Sequence, residues 1–372
     1  MRITGATVHL LSLPLVEPFR SARDTVSRRD TSIIELHADV DGHPVTGWGE
    51  CVALPRPGYT AESRDTAALL IAGVLVPALI GTEVAVDDIS ERLLFVDGNP
   101  MAKSAVEMAV LDAHLRASRQ SLASYLGAPG DRVPAGVAIG LQATPQATAV
   151  AAHRFVAQGY RRLKLKIAPG NDVEVVAEVR DAVGDAVAIQ VDANESYRLD
   201  NPDHVRALEQ MDQFGLVLIE QPLPRADLHG HAALTDRLAT PICLDESIDS
   251  FEAAEHALDL GAADVLCIKP GAVGGYLTAV QIHDLAMASG IPLWCGGMLE
   301  TGFSRAANLA LAALPGFTLI GDLSATERYF AADVVAPVTL DRDGMIAVPN
   351  VAGAGPAPEH LHRFVTGQLH AG

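Results

Sequence analysis

Five short apolar runs decide the fold: RLKLKI (162–167), AIQVDAN (188–194), LVLIEQPL (216–223), PICLDES (241–247) and DVLCIKP (264–270). Each has the length of a β-strand, and each carries a charged residue near its C-terminal end. Three similar runs flank them: VAIGL (137–141) before, and PLWCGGML (292–299) and FTLIGDLS (317–324) after. Lys164, Asp192, Glu220, Asp245, Lys269 and Gly296 follow one another at intervals of 24 to 28 residues. Each interval has room for one strand, one loop and one helix. Eight such runs predict a parallel sheet closed into a barrel. Sequence similarity between the units is weak, so the period is structural and not a recent duplication.

Outward from the barrel the rhythm changes. Thr31 to Val40 is rich in β-branched and aliphatic residues, Asp41-Gly42 marks a hairpin turn, and residues 44–52 read as the returning strand. Pro55, Pro57 and Gly58 break the pattern into a loop. Residues 60–81 and 102–118 read as helices. AKSAVEMAVLDAHLRA (102–117) steps its apolar residues by three and four, as a half-buried helix does. The expected division is an α+β module over 1–125, the barrel over 126–325, and a tail over 326–372 that packs back on the first module.

Composition narrows the function. The net charge of −19 repels phosphate backbones, and aromatics at 5% offer few stacking platforms, so nucleic acid is not an expected partner. No run of about 18 apolar residues occurs, so no membrane span is expected. The opening MRITGATVHLLSLPL lacks a long apolar core and a cleavage site. The four cysteines, at 51, 243, 267 and 295, form no Cys-x-x-Cys pair, which argues against zinc and for a reducing, cytoplasmic setting.

Asp192, Glu220 and Asp245 each end an apolar strand. A carboxylate there is costly unless paired or bound to a cation. Three on adjacent strands would point at one centre and repel one another unless a hard cation neutralised them. An all-oxygen set suits Mg²⁺, with Mn²⁺ as a substitute, better than zinc. Asn194 and Glu246 lie close enough in sequence to support these ligands. The plainer alternative is that the acids cap the following helices, but three caps at matched register is a rare coincidence.

Lys164 and Lys166 alternate with leucines, so both face one side of a strand. Two adjacent ammonium groups lower each other's pKa, which makes a base. Lys269 ends the sixth run, across the ring from the second. A substrate at the centre would have Lys166 on one face and Lys269 on the other. A lone Lys-x-Lys usually marks a solvated sheet face; the acids in the same frame weaken that reading. Together these groups describe proton abstraction next to a carboxylate, through an enediolate.

With the motifs K-x-K, VDAN, IEQP, LDES and IKPG in this order, the chain resembles the enolase superfamily in its muconate-lactonising branch. The resemblance implies a modified (β/α)₇β barrel with an α+β capping domain. It also implies a small-molecule carboxylate substrate and, as for most members, a homo-oligomer. GWGECVA (47–53), MAKSAVEMAVLDAHLRA (101–117), GGMLETG (296–302) and GDLSA (321–325) are similar to the group of o-succinylbenzoate synthases and N-succinylamino acid racemases. In that group Gly296, Gly297 and Met298 would line the substrate pocket, and the segments Phe19 to Arg29 and Pro55 to Tyr59 would be lids. Dipeptide epimerases carry Asp-x-Asp where this chain has Asp322-Leu323-Ser324, and muconate cycloisomerases differ at GGMLETG. Racemising members carry an arginine where this chain has Ala272, and Ala138 stands where relatives often have serine. Without a neighbouring cation Lys269 stays protonated, which favours dehydration with Lys166 as base, Lys164 in support and Lys269 as a fixed charge. Racemisation is the alternative, and a non-catalytic binding barrel the reading from another class.

Overall fold

The computed structural model describes residues 1–170 and 172–372. Three long strands open the chain: β1 (Arg2–Arg20), β2 (Thr25–Val40) and β3 (His43–Cys51). They pair antiparallel in sequence order. Asp41 and Gly42 join β2 to β3 with φ of 54° and 80°, the left-handed pair that suits a tight hairpin. The helix Pro100–Ala117 lies against β3. Gly47 and Gly49 permit this contact: a Cβ at either would sit 2.1 Å from a carbonyl oxygen of that helix, at Ala109 or Ala105.

The helix is not half-buried as its periodicity suggests. It is covered nearly all round, Glu107 and Asp112 included. Glu107 accepts from the Tyr276 and Leu277 backbone N–H groups at 2.7 and 3.0 Å. Asp112 accepts from Trp48 N and Ala354 N at 2.8 and 2.7 Å and pairs with Arg116 at 2.6 Å. Buried acids thus bind the helix to the cap sheet, a barrel helix and the C-terminal segment together.

Seven parallel strands follow in spatial order: β4 (Gly136–Ile139), β5 (Arg162–Lys166), β6 (Ala188–Asp192), β7 (Ile219–Glu220), β8 (Ile242–Leu244), β9 (Val265–Ile268) and β10 (Leu293–Cys295). Helices alternate with them, giving the modified (β/α)₇β barrel. The eighth run is not a regular strand. Its Leu319 N and Asp322 N still bond to Leu293 O and Cys295 O, at 3.1 and 3.0 Å. On its other side the Arg162 guanidinium donates twice to Ile320 O, at 3.0 and 2.7 Å. A side chain therefore stands in for part of the last ladder. The final strand, β11 (Val365–Ala371), returns to pair antiparallel with β1. Among the described residues no helix is long and apolar enough to cross a membrane.

Candidate active site

The register of the parallel sheet brings the charged strand ends to one level. Lys166 on β5 pairs with Asp192 on β6, and Asp192 with Glu220 on β7. Asp245 and Lys269 stand one residue beyond β8 and β9. All five lie at the C-terminal end of the sheet, where barrel enzymes work. Asp192, Glu220 and Asp245 are at most 1% exposed.

Each lysine meets a carboxylate. Lys166 Nζ donates to Asp192 Oδ2 at 2.5 Å and to Asn194 Oδ1 at 3.0 Å. Lys269 Nζ donates to Asp245 Oδ2 at 2.6 Å and to the Tyr59 hydroxyl at 3.3 Å, and lies 4.6 Å from the Tyr59 ring centre. Tyr59 in turn donates to Asp245 Oδ1 at 2.7 Å. Lys164 sits between Asp192 (3.1 Å), Glu220 (3.0 Å) and Asp322. Asn194 donates to Glu246 Oε1 at 3.0 Å.

These contacts correct one electrostatic expectation. Burial alone would lower the Lys164 pKa, but Asp322, Glu220 and Asp192 outweigh it and hold the ammonium well above its ordinary value. Lys164 is therefore a fixed cation here, not one half of a mutually depressed pair. Lys269 behaves likewise: burial opposes its charge, and Asp245 restores it. Asp192 lies below the usual carboxylate range because Lys166 and Lys164 outweigh its burial. Glu220 is the exception. Burial, reinforced by Asp192, pushes it well above the usual range despite Lys164.

Glu220 also supplies the fit test for a cation. Its Oε2 lies 3.0 Å from Lys164 Nζ but outside hydrogen-bonding alignment. Among the described residues one buried carboxylate oxygen thus lacks a directed partner, as a metal ligand would. Glu220 and Asp245 place ligand atoms within 4.8 Å of each other and of Cys267 Sγ, a neighbour that the spacing of acids did not reveal. Asp192 turns instead toward Lys164 and Lys166. The set of buried acids fits a divalent cation, and a hard one by its carboxylate majority.

The anticipated pocket glycines divide between two cavities. Gly297 lines a cleft with Phe19, Ala138, Lys164, Lys166 and Lys269. Gly296 and Met298 line another, much tighter, behind Lys269. Gly296 makes room for the lysine: a Cβ there would come within 2.7 Å of Lys269 Cε. Ala272 is buried and brings no charge near Lys269. Sequence reasoning missed Gln221, whose Oε1 accepts from Asp245 N and Ser247 N at 2.9 and 3.1 Å and so shapes the turn after β8. It also missed Glu300, which accepts from Met298 N at 2.6 Å and from Asn308 at 3.1 Å. The only signal for Gln221 was its place in IEQP; Glu300 gave none beyond its place in GGMLETG.

Comparison with known proteins agrees with this geometry. Residues 4–127 match the mandelate racemase/muconate lactonizing enzyme N-terminal domain, and residues 147–360 the enolase C-terminal domain-like family. An N-succinylamino acid racemase from Amycolatopsis sp is 45% identical, with all of both chains covered. An o-succinylbenzoate synthase from Geobacillus stearothermophilus is 41% identical over 93% of this chain and 90% of its own. The crystal structure of an enolase-superfamily member from Listeria innocua superposes with a TM-score of 0.92 at 36% identity, covering 100% of this chain and 99% of that one. The chain is an enzyme of the enolase superfamily and belongs to its mandelate racemase/muconate-lactonizing family.

Proposed function

We propose that the chain is a Mg²⁺-dependent dehydratase of the o-succinylbenzoate synthase type, acting on a hydroxylated cyclohexadiene carboxylate. The observation that carries this reading is the inequality of the two lysines. Both pair with a carboxylate, Lys166 with Asp192 and Lys269 with Asp245, but the second partner of Lys166 is the Asn194 amide. Lys269 is held between Asp245 and Tyr59, with uncharged Ala272 in the turn that follows it. Although burial opposes its charge, Asp245 and Tyr59 keep the Lys269 ammonium charged, with no cation in that turn to oppose them, which suits it to stabilising negative charge.

Asp192, Glu220 and Asp245 would hold the metal, with Asn194 and Glu246 supporting them. When bound, the cation supplies positive charge beside the substrate carboxylate and offsets the acidic field on the lysines, and Mn²⁺ can serve in its place. Lys166 Nζ takes the proton from the carbon next to the carboxylate. The electron pair left behind enters the carboxylate as an enediolate, and the Lys269 ammonium faces that charge from the other side. The pair then returns to the ring and expels the hydroxyl, which leaves as water with the proton that Lys166 gives back. Lys164 keeps Asp192 and Glu220 in place. The uncharged rim at Phe19, Ala138 and Gly297 would hold the ring and its succinyl arm.

The second reading is N-succinylamino acid racemisation, favoured by the 45% identical racemase. It needs proton transfer at both faces. Incubation of both enantiomers of succinylated amino acids in D₂O separates the two. Dehydration with deuterium entering one enantiomer alone supports the first; wash-in from both supports the second. Lys166→Ala should lower dehydration by about 10²–10⁴-fold, the usual contribution of a general base; full activity in that variant would sink both. Homo-oligomeric assembly, readable by light scattering, is part of the same reading. So is a cytoplasmic setting, suited to four free, buried cysteines.

A further inference from the structure

Beside the strand ends lie charges that proton transfer does not use. Segments 21–24 and 55–60 extend from the N-terminal sheet, yet both are gripped by barrel loops. Arg23 is where they meet. It donates through Nη1 to Gly58 O at 2.6 Å, pairs through Nη2 with Glu195, and lies 3.3 Å from Glu246 Oε1. Arg225 holds the same Glu195 carboxylate at 3.1 Å and donates to Tyr59 O at 2.6 Å. One carboxylate, just past β6, thus carries two guanidiniums, and each also grips the 58–59 backbone. Glu195 has a φ of 66°, a left-handed conformation that costs a glutamate energy and that its two arginine contacts help to hold.

Glu246 continues the chain of contacts inward. Its side chain is wholly buried, and Arg23 is the one cation within ion-pairing distance of it among the described residues. Its Oε2 has no hydrogen-bond partner among them. A buried carboxylate without a countercharge is unstable where it sits. Because Glu246 Oε1 takes the Asn194 amide N–H, Asn194 Oδ1 is turned toward Lys166. Arginine suits the bridge, since its planar fork reaches two acceptors at once.

We propose that Arg23 is a positioning residue: by bridging Glu195 and Glu246 it seats the 21–24 and 55–60 segments over the cavity and, through Glu246 and Asn194, fixes Lys166 for proton transfer. The second half rests on the reading of Lys166 as the base. Arg23 touches no reacting atom, and its effect passes through the acid and the amide.

Two readouts on the full chain need no substrate. Hydrogen–deuterium exchange at 20–26 and 55–60 should quicken about tenfold in Arg23→Met and Glu195→Gln, as loss of a local closing contact predicts. Acetylation of Lys166 by acetic anhydride, mapped by mass spectrometry, should change in Arg23→Met and in Asn194→Ala. The double variant should go no further than Asn194→Ala alone, because coupled residues are not additive. Turnover should show the same pattern, with the loss in kcat rather than KM. Unchanged exchange in Arg23→Met overturns the seating. Wild-type labelling of Lys166 in that variant, or multiplying effects in the double variant, overturns the positioning. Wild-type protein that turns over neither substrate class defeats the dehydratase and racemase readings, while exchange and labelling still decide this one.

Discussion

Glu220 is the residue at which charge and burial conflict most. Its neighbours Asp192 and Asp245 are kept ionised by lysines, whereas Glu220 is pushed well above the usual carboxylate range by burial and by Asp192. Ionising this group in the folded chain therefore carries a cost, which a bound cation would relieve. Glu220→Gln should leave the metal-free protein as stable as the parent or more so. The same change should abolish the stabilisation that a bound divalent cation would give the parent, about 3 kcal/mol at a hundredfold excess over Kd and read as a rise in Tm. Thermal melts with Mg²⁺ and with chelator measure both. A variant that loses stability in chelator would show that the Lys164–Glu220 pair is a net stabiliser, contrary to this account. Lys164, for its part, has too many acidic neighbours to share the proton-transfer role that its place beside Lys166 suggests.

Among the elements, the helix Pro100–Ala117 does the most joining, and Glu107 is its contact with the barrel. Its carboxylate receives the first N–H groups of the helix Tyr276–Ser289, a favourable place for an anion. Burial nevertheless pushes its pKa up to about 7 against those two bonds. A raised acid binds its proton more tightly folded than unfolded. Its contribution is thus fully present below the unfolded value, near 4.5, and is lost as pH rises through about 7. Between pH 5 and 8 the parent should lose about 2 kcal/mol more than Glu107→Gln, whose amide does not titrate. Urea midpoints of both across that range give the difference, and parallel curves would refute it. Gly275 belongs to the same joint: a Cβ there would sit 2.0 Å from Glu107 Oε2.

At the scale of the molecule, closure of the barrel depends on Arg162. It is 1% exposed, donates twice to Ile320 O, and bonds Asp322 at 2.7 Å. Arg162→Met leaves Ile320 O short of a donor and Asp322 with Lys164 alone. The loss should be about 3–5 kcal/mol, as for other broken buried pairs, read from the urea midpoint. A loss below about 1 kcal/mol would mean that the ring stays closed without the Arg162 contacts. The barrel itself was legible in the sequence, because strand length, alternation and the 24–28-residue interval are properties of neighbours along the chain. So was the placing of Lys166, Asp192, Glu220, Asp245 and Lys269 at one end of the sheet, since each ends an apolar run. The hairpin at Asp41-Gly42 needed only two residues with the right backbone freedom. What the tertiary structure alone decided is different in kind. The eighth run is irregular because a side chain from β5 takes up its carbonyl. The 100–117 helix is buried nearly all round because three separate parts of the chain cover it. Lys164 keeps its proton because acids from β6, β7 and the eighth run surround it, whereas the sequence showed only Lys166 beside it. Burial and electrostatic field are sums over groups brought together by folding, and no local pattern of residues contains them.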